Sequence, residues 1–317
     1  MKLLVTGGAG YIGSVVAAQL LAAGHEVTVL DDLSTGHRDA VPAAADFVEV
    51  DIADSAKVVT AEFDAVLHLA AKSVVGESQR RPELYWRTNV GGTLALLDAM
   101  REVGVRRLVF SSTAATYGEP ATVPIDETAP NAPTNTYGHS KLAVDRMLAG
   151  EALAHGLGAI SLRYFNVAGA DAGLGERHAV ETHLIPLALQ VAAGALEHLV
   201  VYGEDWPTPD GTCVRDYIHV ADLARAHLLA LTACEPGTHR IYNLGNGAGF
   251  SVREVVDAAR RVTGHPIPVV VGPRRAGDPA VLVASAERIR AELAWEPAYA
   301  EIDVMVADAW EVARSPA

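Results

Sequence analysis

The chain has 317 residues, 50% of them hydrophobic, and carries 25 Lys+Arg against 39 Asp+Glu for a formal net charge of −14. That apolar content excludes intrinsic disorder. The acidity denies it the basic footprint of a nucleic-acid or anionic-membrane binder, so neither partner is expected. The length suits about two domains, or one large α/β domain with an appended lobe.

The two cysteines, Cys213 and Cys234, form neither a CxxC pair nor a disulfide framework, as expected of free thiols in a reducing compartment. The opening MKLLVTGG turns glycine-rich at Gly7, too early for the apolar stretch of a signal peptide. No run of about 18 apolar residues occurs. A cytoplasmic protein is expected.

In chain order, residues 2–6 read as a strand and 12–23 as a helix, followed by strands at 26–30, 46–50 and 64–69. A long helical pattern over 82–103 leads to a strand at 107–111. A second helix over 136–155 leads to a strand at 159–163. Strands alternating with helices predict βαβ units: a Rossmann-type, doubly wound parallel sheet. Its ligands bind beyond the carboxyl ends of the strands, where the strand order reverses. After Gly169 the rhythm breaks and prolines punctuate shorter elements, which suits a smaller C-terminal α+β lobe. A helix at 219–232 and a strand at 241–244 return to the main sheet. The expected division is residues 1–168, with 216–247, as the cofactor domain, and residues 169–215 and 248–317 as the substrate lobe.

The first strand and helix are joined by Gly7-Gly8-Ala-Gly10-Tyr11-Ile12-Gly13. Glycines there permit a tight turn, close approach to a pyrophosphate and close helix–strand packing, while the helix N-terminus faces the anion. In a chain with 28 glycines the trio alone is weak evidence. Its strand–loop–helix setting and Asp31 at the end of the second strand strengthen it. An acid there accepts hydrogen bonds from an adenosine ribose and repels a 2′-phosphate, favouring NAD over NADP. Arg38 nearby is the one residue that favours NADP.

Tyr137-Gly-His-Ser-Lys141 opens the helix after strand 107–111. Positions i and i+4 share a helical face, and an ammonium beside a phenol is expected to lower its pKa toward that of a usable base. Ser111-Ser112-Thr113 at the strand's end offers hydroxyls for the same substrate oxygen. The spacing arises easily by chance, and its place in the fold carries more weight. A surface helix with a capping Thr136 is the alternative.

These motifs, with HLAAKSVVGES, SSTAATYGEP, RYFNVAGA, ETHLIPLALQVA, DGTCVRDYIHVADLA, YNLGNG and RRAGD, resemble the extended short-chain dehydrogenase/reductase family. Within it the chain is similar to the branch that inverts C4 of UDP-sugars. The resemblance runs almost end to end. It implies NAD as cofactor, a UDP-sugar as substrate, a homodimer formed through a helical bundle, and conversion of UDP-galactose to UDP-glucose through a transient 4-keto sugar. It assigns Gly7, Gly10, Tyr11, Ile12 and Gly13 to the pyrophosphate loop, Asp31 and Asp32 to the adenosine ribose, and Asp51 and Ile52 to the adenine. Leu69, Ala70, Ala71, Asn89 and Ser111 line the cofactor's path, Lys141 holds the nicotinamide ribose, and Tyr164 packs by the nicotinamide. Tyr137 is the implied base and Thr113 its hydroxyl partner. Asn166, His183 and Leu184 face the sugar, and Tyr202, Arg215, Tyr217, Arg275 and Asp278 bind UDP. No metal is expected.

Three departures qualify the resemblance. His183 stands where many members have Asn, and Lys72 lies one place before the lysine of some, leaving Ser73 in that slot. Leu282 replaces a bulky aromatic of narrow-specificity members, which leaves room for an N-acetyl group. Two other readings stay open. A 4,6-dehydratase or decarboxylase needs an acid after the hydroxyl residue, where Ala114 and Ala115 stand. A dinucleotide-sensing regulator has no need of Tyr137 and Lys141.

Overall fold

Short apolar strands separated by amphipathic helices bury both faces only when helices cover a parallel sheet on each side. The computed structural model, which describes residues 1–275 and 278–314, has this arrangement. Its strands are β1 (Lys2–Thr6), β2 (Glu26–Asp31), β3 (Asp46–Glu49), β4 (Ala65–His68), β5 (Arg107–Ser111), β6 (Gly158–Tyr164) and β7 (Asn166–Ala168). After these come β8 (Leu199–Tyr202), β9 (Val214–Arg215), β10 (Tyr217–His219), β11 (His239–Leu244), β12 (Phe250–Ser251), β13 (Val269–Gly272) and β14 (Val281–Leu282). The helices are α1 (Tyr11–Ala22), α2 (Val75–Arg80), α3 (Pro82–Tyr85), α4 (Thr93–Val103), α5 (Thr136–His155), α6 (Leu184–Ala192), α7 (Val220–Ala233), α8 (Val252–Thr263), α9 (Glu287–Leu293) and α10 (Ile302–Ala313).

Seven strands form one parallel sheet in the order β11-β6-β5-β4-β1-β2-β3. The order reverses between β1 and β4, which opens the crevice at their carboxyl ends. Alternation along β1 sends Leu3 and Val5 to the face covered by α1 and α7, and Leu4 to the face covered by α4 and α5, the period-2 rule of a strand buried on both sides. A third core, with Ile185, Leu189, Val255, Val256, Met305 and Val306, joins α6, α8 and α10. Small sheets edge this lobe: β7 with β10, β8 with β13, and β9 between β12 and β14.

The structure refines several expected boundaries. The helix expected over 82–103 is interrupted by a π-helical stretch at Trp86–Gly92. A Cβ on Gly92 would lie 2.4 Å from Cγ2 of Ile52, so a glycine there lets the helix close against the loop after β3. The wider turn re-aims one side chain, and Asn89 within it is buried. Helix α5 is capped by Asn135, whose side chain accepts from Gly138 N at 2.9 Å, and Thr136 is its first helical residue. The segment 219–232 forms α7 with His219 as its cap, Nδ1 accepting from Ala221 N at 3.1 Å.

Two histidines are sealed inside the sheet layer. Thr93 donates its hydroxyl proton to Asn89 O at 2.5 Å, so it accepts from His68 Nε2 at 2.8 Å, and His68 Nδ1 accepts from Thr6 at 2.7 Å. His227 Nδ1 donates to Leu223 O at 2.9 Å and its Nε2 accepts from Ser111 at 3.0 Å. Burial, assisted by the Lys141 charge, pushes His68 down to about 3. Burial against a weaker pull from Leu223 O pushes His227 down to about 4. Both are neutral when folded and titrate near 6.5 when unfolded, so the unfolded chain binds more protons as pH falls from about 6.5 toward 4. Stability is therefore lost on acidification, by up to about 1.4 kcal/mol per pH unit for each histidine. Urea unfolding of a His227→Gln protein is expected to show a shallower loss between pH 6 and pH 4 than the parent by about that slope.

Candidate active site

The glycine-rich turn is built by exclusion of side chains. Gly7 adopts φ +73°, and a Cβ there would lie 2.5 Å from Ala70 N, while one on Gly13 would lie 2.1 Å from Gly7 O. Gly7 N donates to Leu30 O at 2.7 Å and Gly10 N to Gly7 O at 3.2 Å. Helix α1 then starts from Gly10 with no side-chain cap and no acidic residue in its first turn. Its first N–H groups and positive dipole end thus remain for an outside anion, and this cradle fits a dinucleotide pyrophosphate. Ile12 packs on the core beneath, and the Tyr11 hydroxyl donates to Gly169 O at 2.6 Å, tying the loop to the start of the second lobe.

Asp31 ends β2 with its carboxylate accepting from Ala9 N at 3.0 Å and Leu33 N at 2.9 Å. Burial raises its pKa and those two N–H groups partly restore it. Asp32 is exposed and accepts from Ser34 N at 2.9 Å. Beyond β4, Leu69 N donates to Thr6 O at 3.0 Å and Ala70 N to the Thr6 hydroxyl at 3.4 Å, with Ala71 following half-buried. Asn89 braces this segment, accepting from Lys72 N at 2.8 Å and donating to Lys72 O and to Ser140, each at 3.0 Å. Lys72 Nζ reaches Ser34 at 3.0 Å, which closes the exits of β4 and β2 toward each other. Asp51 accepts from Ala53 N at 2.8 Å and caps the short helical turn after β3, and Ile52 is buried against Gly92.

The hydroxyl and amine groups converge at the end of β5. Lys141 Nζ donates to Ser111 O at 2.8 Å and stands 4.7 Å from the Phe110 ring centre. Burial pushes its ammonium down to about 7, against the attraction of Asp145. Tyr137 is set edge-on to Tyr85 at 6.4 Å between ring centres. Burial raises its pKa, and a hydrogen bond with Thr113 draws it back. The expected lowering of this phenol by Lys141 is not what the chain provides: the ammonium is turned to the Ser111 carbonyl, and Thr113 is the phenol's favourable neighbour. Thr113 also accepts from Ala115 N at 3.2 Å. Tyr164 is raised by burial and by Tyr137, with Ser111 lowering it.

Asp145, one turn beyond Lys141, accepts from Arg163 Nη2 at 2.7 Å and Nε at 3.1 Å, and the guanidinium covers the Tyr117 ring at 4.8 Å. Sequence reasoning missed this buried brace, whose acid lies on α5 and whose arginine lies on β6.

On the second lobe the structure brings two expected pairs together. The Arg275 guanidinium lies 3.9 Å from the Tyr202 ring centre, and Arg215 Nη2 lies 3.9 Å from Asp278 Oδ2. The Ala276–Gly277 link of the RRAGD motif lies outside the described residues. Leu282 is paired in register with Arg215. Asn166 Nδ2 donates to Asp216 O at 2.9 Å, while Tyr217 is buried with its ring 6.4 Å from that of Phe250. Leu184 begins α6, and His183 before it points Nδ1 between Glu176 at 2.7 Å and Glu181 at 2.8 Å. Burial opposes its charge, but those carboxylates push it up to about 10. Sequence reasoning also missed Asp216, buried and accepting from Asn246 N at 2.6 Å, Ala284 N at 2.9 Å and Gly247 N at 3.1 Å. Its donors come from residues 246, 247 and 284, so no local pattern marked it.

Residues 3–245 match the NAD dependent epimerase/dehydratase family. The UDP-glucose 4-epimerase of Streptomyces lividans is 64% identical over 315 residues, covering 98% of this chain and 95% of the relative. That of Corynebacterium glutamicum is 59% identical over 312 residues, covering 98% and 95%. Among solved structures, UDP-glucose 4-epimerase from Brucella ovis in complex with NAD superposes with a TM-score of 0.93 at 47% identity, covering 98% of this chain and 97% of that one.

A Gly13→Ala protein must push the Gly7 carbonyl aside, at a cost of about 1–3 kcal/mol. It is expected to unfold at lower temperature than the parent and to leave purification with a smaller NAD-to-protein ratio, read by absorbance after release with acid.

Proposed function

The chain belongs to the NAD dependent epimerase/dehydratase family, and on that premise we propose that it inverts C4 of a UDP-hexose, interconverting UDP-galactose and UDP-glucose through a transient 4-keto sugar. The observation that carries this reading is the convergence of Tyr137, Thr113 and Lys141 at the end of β5, with Ala114 and Ala115 where an eliminating enzyme needs an acid.

NAD held over the glycine turn, by Gly7, Gly10, Gly13 and Asp31, supplies a reversible hydride acceptor at C4. Lys141, fixed on Ser111 O, would hold the nicotinamide ribose, and Tyr164 would hold the ring. Tyr137 Oη takes the proton of the sugar 4-hydroxyl, with Thr113 bridging by hydrogen bond, and returns it once the other face is presented. Arg215 and Arg275 hold the diphosphate, for which a guanidinium fork suits two oxygens at once, and Tyr202 stacks beneath Arg275. Asn166, His183, Leu184, Tyr217 and Asp278 complete the wall. Strong contacts to UDP and loose ones to the hexose let the keto sugar turn over without leaving. The cofactor unit is residues 1–168 with 216–247, and the nucleotide-sugar unit is residues 169–215 and 248–317.

Leu282, in register with Arg215, is smaller than the aromatic of narrow-specificity members, and this supports UDP-GlcNAc and UDP-GalNAc as further substrates. The exposed Leu94 of α4 and Leu153 of α5 belong to a homodimer interface made of these helices. Two free buried thiols fit a cytoplasmic location; among the described residues no helix is long and apolar enough to cross a membrane.

Purified protein given UDP-galactose without added NAD is expected to form UDP-glucose, and given UDP-GalNAc to form UDP-GlcNAc. A Tyr137→Phe protein should retain its NAD and lose about 10²–10⁴-fold in kcat; an undiminished rate refutes the proton-transfer role. Light scattering is expected to give twice the 33.3 kDa chain mass.

A further inference from the structure

Glu176, His178, Glu181 and His183 repeat a Glu-x-His pattern twice in the loop between β7 and α6. Their four ligand atoms all lie within 4.8 Å of one another. His178 Nδ1 is 3.0 Å from Glu176 Oε1 and 3.6 Å from Glu181 Oε2; His183 Nδ1 is 2.7 Å from Glu176 Oε1 and 2.8 Å from Glu181 Oε1. The carboxylates are the inner members, their side chains only 10% and 5% exposed, and the two rings close over them with centres 5.5 Å apart. Both imidazoles therefore turn the same nitrogen toward the same two carboxylates.

Zinc bonds to nitrogen and carboxylate oxygen at about 2.0–2.2 Å, which in a tetrahedron sets the ligands about 3.3–3.5 Å apart. The observed nitrogen–oxygen separations bracket that edge. Two carboxylates balance the charge of a divalent ion bound with two neutral imidazoles. Imidazole ligands also select zinc-like transition metals over magnesium or calcium. The loop is held from outside, where Arg177 pairs with Asp39 at 2.8 Å and His37 Nε2 meets Arg177 O at 2.8 Å, and from within, where Glu181 accepts from Thr182 N and His183 N at 2.6 and 2.7 Å. We propose that Glu176, His178, Glu181 and His183 bind one Zn²⁺, which fastens the chain entering α6 against the cofactor domain.

The test reads metal binding and is independent of turnover. Protein stripped with a chelator and desalted is titrated with Zn²⁺ against a chromophoric zinc indicator. One equivalent per chain is expected, with a rise in Tm of about 5 °C at a hundredfold excess over Kd. His178→Ala and Glu181→Gln should each weaken binding by about tenfold or more and cut the Tm rise at the same Zn²⁺ concentration to about half or less. Cys213→Ser/Cys234→Ser and Tyr137→Phe proteins should bind like the parent, so a failed epimerase assay leaves this site standing. Less than one equivalent in the parent, or equal binding in the His178 and Glu181 variants, overturns it.

Discussion

At Gly7, Gly8 and Gly13, where β1 turns into α1, there is no room for a methyl group, and much of the molecule is arranged around that restriction. The Gly7 carbonyl fills the space a Cβ on Gly13 would need, and Gly7 itself is pressed against Ala70 N. A Cβ on Gly8 would lie 2.7 Å from Val29, inside β2. One turn thereby fixes how close β1 stands to the exits of β2 and β4. The same turn hands Ala9 N to Asp31 and the Tyr11 hydroxyl to Gly169 O. Bare backbone at a helix start is favourable only beside an anion, so the steric constraint and the cofactor's phosphate demand each other.

A second constraint is electrostatic. An acidic chain with four lysines has buried one of them at the end of β5. Moving the Lys141 ammonium from its ordinary value to about 7 corresponds to about 5 kcal/mol of lost preference for the charged form. That figure already includes the attraction of Asp145, which is itself committed to Arg163 at 2.7 Å, while the ammonium donates to Ser111 O at 2.8 Å. Strain of this kind concentrates at sites that do chemistry. It also places the amine's titration near neutrality.

What could be read from the sequence follows the range of the interactions. The seven sheet strands, the glycine turn and the Tyr137/Lys141 pair are each written within about twenty residues, and period-2 or period-3.6 patterns carry them. The π-turn at Trp86–Gly92 was not legible because its cause, Ile52 against Gly92, is forty residues away. Asn135 capping α5 in place of Thr136 was a choice between neighbouring candidates that only backbone geometry settles. The direction of Lys141 was misjudged for a related reason: helical spacing shows which face the amine shares with Tyr137 but not that a carbonyl of β5 is the nearer partner. Asp216 and the Asp145–Arg163 brace gather backbone and side chains from three or more segments, and no local pattern announces such a hub.

Three polar ties run from the first forty residues to the 169–183 loop. Tyr11 reaches Gly169 O, Gln19 donates to Asp171 at 3.0 Å, and Arg177 grips Asp39. None of the three comes from the groups at the end of β5. A reaction in which a keto sugar turns over demands this separation. The frame that holds cofactor and diphosphate in register must stay fixed while the space between them tolerates two orientations of one ring. Ties made by charged and backbone groups along the loop give the frame rigidity without filling that space. The oxidised sugar can then be reduced from either face, so both C4 configurations are reached.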